Sequence, residues 1–428
     1  MYLLISIDPN LQFVLLGILL LSATASLVGT YNFFQKQALV GETIAHAMLP
    51  GVVIAFMISG EKNPWHLLIG AGVSGWFSVL FIEWIKRETK VKADAAMAIA
   101  LTFFFGIGVM LMVRLQHQEV GNQAGLDHYL FGKAAAMTDE EGRVFLITAL
   151  IVLFLMTVYH REIKLVCFNR DYAQSLGVPV KRIDVILSFM TILVIATGIK
   201  AAGIILMAAL VIAPAAAASF WTRRYRPFLI LSVLMGVLGG VSGVLISFTY
   251  SGMPTGPWII VFLFAFSLLS MLFAPEKGFI HRVLMRMRAR KKIRMENLLK
   301  KEYYRLYRNP EDSKVLNFDQ WKPDEQQLIP SLKQEGFMDS ISKHKGLLTH
   351  KGYQEGKRIY RLHCLWEIYL WRKMNIAVES THSDAEYIEH IITPEVEKMI
   401  MDDLGYCERF EPLAEIHEYL SKEEAAHV

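Results

Sequence analysis

The chain has 428 residues, 54% of them hydrophobic and 20% charged, with a formal net charge of +4. The apolar share exceeds the roughly 45–50% of soluble domains and excludes an ordinary soluble protein, while the charged share excludes a chain buried wholly in lipid. The charge is unevenly placed: residues 276–428 hold 26 Lys/Arg and 26 Asp/Glu, against 18 and 14 in residues 1–275.

In chain order, the first apolar stretch starts at Leu11. It has neither a basic leader nor a small-residue cleavage site before it, so it reads as a span and not as a removable signal peptide. A helix needs about 20 mostly apolar residues to cross the hydrocarbon core. That length predicts spans near 11–32, 39–59, 64–85, 94–113, 144–160, 183–199, 201–220, 228–250 and 257–274. If the loop 161–182 faces the cytosol, 13 of the 18 basic residues of this part lie inside, among them Lys86, Arg87, Arg223 and Arg224. Only Lys62, Arg114, Lys133, Arg143 and Lys200 fall outside. This positive-inside bias places the N-terminus outside and, after nine crossings, the tail in the cytosol. The predicted location is the cell inner (plasma) membrane.

The second span is unusual because it holds Glu42 and His46 four residues apart, on one helix face. Ionisable groups are expensive in lipid and mark a functional site by default. A carboxylate with an imidazole suits manganese, iron(II) or zinc. The competing reading is a surface Glu42 and a hydrogen-bonded packing His46. Pro50-Gly51 would break the helix beside them. Later, 168–180 forms a short amphipathic turn closed by Gly177 and Pro179, able to present a rigid knob, or simply a connection. The Gly- and Ala-rich 201–220 reads as bundle core, because small residues let helices approach closely in lipid.

These segments resemble the permease subunits of ABC importers for zinc, manganese and iron. The resemblance rests on Gly41-Glu42-Thr43-Ile44-Ala45-His46-Ala47 to Pro50-Gly51, on Phe168 to Val180, and on Gly203 to Ala218. It implies Glu42 and His46 on the transport path, with Glu42 standing where the family usually has Asp. It also implies that Asp171, Tyr172, Ser175, Leu176, Gly177 and Pro179 dock an ATPase, that the chain pairs as a homodimer, and that an extracytoplasmic metal-binding protein delivers the ion. Since the chain has no GxxxxGK[ST] pattern, no nucleotide is expected to bind it, and ATP hydrolysis is expected in a separate subunit. The chain is therefore expected not to be an enzyme itself.

The basic run His281 to Arg294 is expected to meet anionic lipid at the inner leaflet. Beyond it, His363 and Glu367 lie one helical turn apart, and His382, Glu386, Glu389 and His390 follow, with the last three expected on one helix face. Three imidazoles and three carboxylates suit a divalent metal (Mn, Fe or Zn), whereas a solvated charged face is the alternative. Cys167, Cys364 and Cys407 show no CxxC spacing, so thiolate zinc binding is not indicated.

The tail resembles the iron- and manganese-dependent repressors of the diphtheria toxin repressor class. Leu347 to Gly352 is similar to the end of their DNA-binding wing, and Arg361 to Leu370 with His382 to His390 is similar to their ligand helices. The resemblance implies that His363, Glu367 and His382 serve one metal site and Glu386, Glu389 and His390 the other. Two departures stand out. The first tail helix offers Asn297 and Lys300 where a further ligand is expected, with Glu296 able to stand in. The segment Phe318 to Glu335, in place of a DNA-reading helix, is short and carries Asp324, Glu325 and Pro330, which makes DNA binding doubtful, because affinity for phosphate is built by cations.

The expected fold is an all-α polytopic membrane bundle of about nine transmembrane helices plus a cytoplasmic winged-helix and helical metal-binding/dimerisation domain. Its parts are a transmembrane permease domain (1–275), a basic juxtamembrane linker (276–294), a winged-helix-like domain (295–355) and a metal-binding and dimerisation domain (356–428). The expected function is that of a divalent-metal permease with a metal-sensing tail that regulates transport. The alternative is a membrane-tethered, metal-dependent transcription repressor.

Overall fold

The structure, a computed structural model, describes residues 9–60, 64–116, 139–250, 253–275, 277–309, 315–374 and 388–405. They form two compact units, Met1–Arg282 and Val283–Val428.

Among the described residues the first unit is built of helices and their short connections, as lipid requires of any open chain, because only a helix satisfies its own backbone groups there. Its elements are α1 (Pro9–Phe34), α2 (Val40–Ala47), α3 (Leu49–Ser59), α4 (Pro64–Glu88), α5 (Ala93–Gln116), α6 (Asp139–Val158), α7 (His160–Phe168), α8 (Arg170–Ser175), α9 (Val180–Trp221), α10 (Tyr225–Thr249) and α11 (Thr255–Phe273). Among the described residues, nine segments are long and apolar enough to span a membrane. The second of them is α2 with α3, and α9 supplies both the sixth and seventh, Val180–Ile199 and Ala201–Trp221. Gly203 separates those two arms with φ 80° and ψ 161°, a conformation that side chains other than glycine's disfavour. A Cβ at Gly198 would lie 2.2 Å from Met207 Sδ, so the two arms meet across the break.

The second arm of α9 is the buried core of the bundle. Ile204, Met207, Leu210, Val211, Ala215 and Ala218 are all inaccessible, and its backbone touches α1: a Cβ at Gly29 would sit 1.7 Å from the Val211 carbonyl oxygen. Polar side chains add bonds between helices. Thr30 Oγ1 donates to Ser232 Oγ at 2.9 Å, and Asn32 Nδ2 to Thr191 Oγ1 at 3.2 Å. Leu16, Phe77, Phe154, Ile230 and Phe264 are exposed, as hydrocarbon-facing side chains should be.

The second unit holds the tail-side part of α12 (Phe279–Arg308), then β1 (Val315–Asn317), α13 (Pro323–Gln326), α14 (Ile329–Gln334), β2 (Met338–Ser340), β3 (Lys345–Leu348), α15 (His350–Met374) and α16 (Pro394–Leu404). The strands form one antiparallel sheet in the order β1-β3-β2, with Val315 opposite Leu347 and Met338 opposite Leu348. Its core joins Leu298, Leu299 and Leu306 of α12 to Leu316, Phe318, Trp321, Leu332 and Leu348. Glu302 is buried within this region and accepts hydrogen bonds from Trp321 Nε1 and Arg305 Nε, both at 2.9 Å. The segment that would carry a DNA-reading helix is two pieces of four and six residues, α13 and α14. Glu325 is committed internally there: it accepts from the Lys322 backbone N–H at 2.8 Å and pairs with Lys301 at 2.9 Å.

Candidate functional site

Glu42 and His46 lie on α2, within the second span, and both are half-buried. Among the described residues Glu42 makes no hydrogen bond or ion pair, and His46 Nδ1 is buried without a hydrogen-bond partner. The imidazole meets the ring of Phe105 edge to face, with centroids 4.9 Å apart. A packing histidine would have its nitrogens satisfied, since buried polar groups normally are. The helix interrupts at Met48, two residues before Pro50, whose nitrogen cannot donate. Ser74 Oγ of α4 donates to the Ala47 carbonyl at 2.6 Å. Ser74 and Phe105 escaped the sequence reading; the available signal was a small polar residue inside an apolar span. Beyond Pro50, an open cavity of about 670 Å³ is lined by Gly51, Ile54, Gly70, Phe77, Phe104 and other largely apolar groups, a lining that suits hydrocarbon better than a cation.

The expected docking knob is a helix–turn–helix of short pieces, α7 and α8. Asn169 Oδ1 caps α8 by accepting from the Tyr172 N–H at 3.0 Å, and Gly177 turns the chain at φ 77°. Arg170 pairs with Asp184 at the start of α9, which fixes the orientation of α8. Of the segment 168–177 only Ala173 is buried; Phe168, Tyr172 and Leu176 are more than half exposed.

In the tail, four of the six expected metal ligands are described, and they converge; His382 and Glu386 lie outside the described residues. His363 donates through Nδ1 to Glu389 Oε2 at 2.6 Å, and its Nε2 lies 3.1 Å from Glu367 Oε1. The other Glu389 oxygen accepts from Lys300 Nζ at 2.7 Å. His390 donates through Nδ1 to Glu296 Oε2 at 2.7 Å, while its Nε2 is buried without a hydrogen bond, 3.4 Å from Glu389 Oε1. Glu389 and His390 lie in the turn that follows the helical Ile388, and Glu386, expected on the same helix face, lies outside the described residues. On α12 Asn297 is exposed, whereas Glu296 is turned into the cluster.

Burial opposes charge on His363, but hydrogen bonds to Glu367 and Glu389 outweigh it and raise its pKa. Burial also pushes Glu389 upward, yet the bonds from His363 and Lys300 hold it below the usual carboxylate range. Cys364 is driven by burial up to about 12, so it remains a thiol and offers no thiolate. Among the described residues no three groups already stand in metal-holding geometry. The donor set of imidazole and carboxylate, with an orphaned buried imidazole nitrogen, nonetheless fits a divalent ion.

The description "ABC 3 transport family" matches residues 7–274. The chain belongs to that family. Residues 349–412 match a second description, the iron dependent repressor metal binding and dimerisation domain. Similar proteins include the manganese transport system membrane protein MntC of Bacillus subtilis, 32% identical over 89% of this chain and 88% of that protein. The zinc transport system membrane protein TroC of Treponema pallidum is 33% identical over 66% of this chain and 94% of its own length. Among solved structures, PsaBC from Streptococcus pneumoniae in complex with Fab matches with a TM-score of 0.56 and 26% identity, over 64% of this chain and 95% of that one. This ABC 3 chain is thus a multi-pass permease, and its match to the MntC protein runs well beyond the membrane unit.

Proposed function

We propose that this ABC 3 permease carries a divalent metal ion, manganese, zinc or iron, inward across the cell inner membrane, with Glu42 and His46 as a waypoint for the ion. The observation that carries this reading is the His46 Nδ1 left without a partner inside a span, one turn from an unpaired carboxylate. An unsatisfied nitrogen in lipid is costly, so a group that persists there is reserved for a ligand that comes and goes. The similarity to membrane proteins of manganese and zinc transport systems supports the choice of cargo. Replacing Glu42 and His46 together by Ala in the assembled transporter should abolish uptake of radioactive manganese and zinc; undiminished uptake of either would sink the assignment.

The exposed Tyr172 on a braced α8 and Leu176 just after it form the docking surface for a separate ATPase subunit. An extracytoplasmic binding protein hands over the ion, and two copies of the chain pair around the path. The tail lies in the cytosol, where the His363, Glu367, His382, Glu386, Glu389 and His390 cluster binds metal and reports internal supply. Feedback of this kind requires different tail affinities in the two permease states, since equal affinity shifts nothing. Uptake by a chain with His363 and Glu389 both changed to Ala tests it: inhibition by internal metal should disappear. A repressor role finds no support in α13 and α14, too short to fill a major groove, with Asp324 and Glu325 on α13.

A further inference from the structure

Lys300 is the member of the tail cluster whose chemistry runs against a divalent ion. Its side chain is 15% exposed and donates to Glu389, whose side chain is fully buried. The second Glu389 oxygen accepts a hydrogen bond from His363 Nδ1, and His363 reaches Glu367 on its other side. Lysine is a compact cation on a flexible stem and cannot ligate while protonated. It neutralises the carboxylate that a metal would need. The cluster therefore has a closed half, Lys300–Glu389–His363–Glu367, and an open one, where Glu296 holds His390 Nδ1 and His390 Nε2 has no hydrogen bond.

We propose that Lys300 is a tethered competitor for the ion: a divalent metal enters the Glu389 half of the cluster only by displacing the ammonium, which raises the concentration at which the tail fills. This rests on the tail's reading as a metal-binding unit. The displacement is physically simple, because the Lys300 ammonium sits at the end of a flexible side chain that is 15% exposed, while the Glu389 side chain is fully buried. The loss of a buried charge-assisted bond must be regained from the metal, which corresponds to about a tenfold or greater weakening of binding. The lysine also helps to hold the closed half together without an ion, since its ammonium bonds the Glu389 oxygen that His363 does not take.

The test uses the full chain in detergent and manganese(II) itself, with free ion read by electron paramagnetic resonance after equilibrium dialysis. Wild type and Lys300→Gln are each compared with a tail-blind control carrying His363→Ala and Glu389→Ala, so that ions held by Glu42 and His46 cancel. Tail binding should tighten about tenfold or more in Lys300→Gln. Manganese should also raise the thermal midpoint of Lys300→Gln by more than it raises that of wild type. If Lys300→Gln does not fold, Lys300→Met keeps the stem and loses the charge, and the same comparison applies. Equal affinity in wild type and variant, both above the control, would overturn the competition while leaving the tail a metal site. If neither exceeds the control, the metal reading of the tail falls together with the competition.

Discussion

Among the described residues two imidazole–carboxylate clusters stand out, and they are built in opposite ways. In the membrane unit His46 Nδ1 is buried with no hydrogen-bond partner, one turn from Glu42. In the tail His363, Glu389 and Lys300 close on one another with bonds of 2.6 and 2.7 Å. A group that hands an ion onward must not be satisfied without it, or the ion would find no vacancy. A group that keeps a fold together must be satisfied at all times. Under the proposed function, the contrast would separate donors for passage from donors for residence, although the residue types are the same.

The sharpest way to break the contrast is to remove the membrane pair. Glu42→Ala with His46→Ala should lower metal uptake about a hundredfold or more, since even partners behind the ligands are worth up to about that much, and should leave the folding of the tail unchanged. Uptake and hydrogen exchange of the tail, measured on one preparation, check both halves of that statement. Next in size is the docking knob. Tyr172→Ala should weaken ATPase association by about 2 kcal/mol, near thirtyfold, as exposed aromatic anchors do at interfaces, and co-purification of the two subunits reads it. A smaller effect is expected within the tail core. Glu302→Ala strips Trp321 and Arg305 of their shared acceptor and should destabilise the second unit by about 1–3 kcal/mol, seen as faster exchange over β1 and α12 with the spans unaffected.

The gentlest probe is pH, with a chelator present. The raised His363 pKa gives a contribution fully present below the ordinary histidine value of 6.5 and lost as pH climbs through the raised value. The depressed Glu389 pKa gives one present above the ordinary 4.5 and lost as pH falls through the depressed value. Tail stability should therefore be greatest between about 4.5 and 6.5 and decline on both sides, as exchange of α15 across that range would show. A flat profile would mean that the pair is not the closed unit described.

Much of the membrane unit was legible, because an apolar run of span length has few alternatives in lipid and because a charge within it is conspicuous. Glu42, His46 and the break ahead of Pro50 were readable for that reason. Ser74 and Phe105 were not: which residue of α4 or α5 faces α2 depends on helix rotation, and their periodicity is obscured when every face is apolar. The tail was less transparent. Lys300 could be flagged as an unsuitable ligand, but its pairing with Glu389 joins residues 89 positions apart and emerges only from folding. The choice between Glu296 and Asn297 was decided by helix phase. Met295, Leu298, Leu299 and Glu302 are buried on α12, and Glu296 and Lys300, one turn apart, border that stripe while Asn297 points away.

Where Gly29 meets Val211, main chain rests on main chain with no side chain between. Such a seam has no soft padding and no room to slide, so α1 and the second arm of α9 must travel as one piece in any transport cycle. Compliance is then left to the elements around it, and the interruption at Met48 sits beside the pair that would grip the cargo. A bulky residue at position 29 would therefore wedge the frame open, while leaving both grip residues chemically intact.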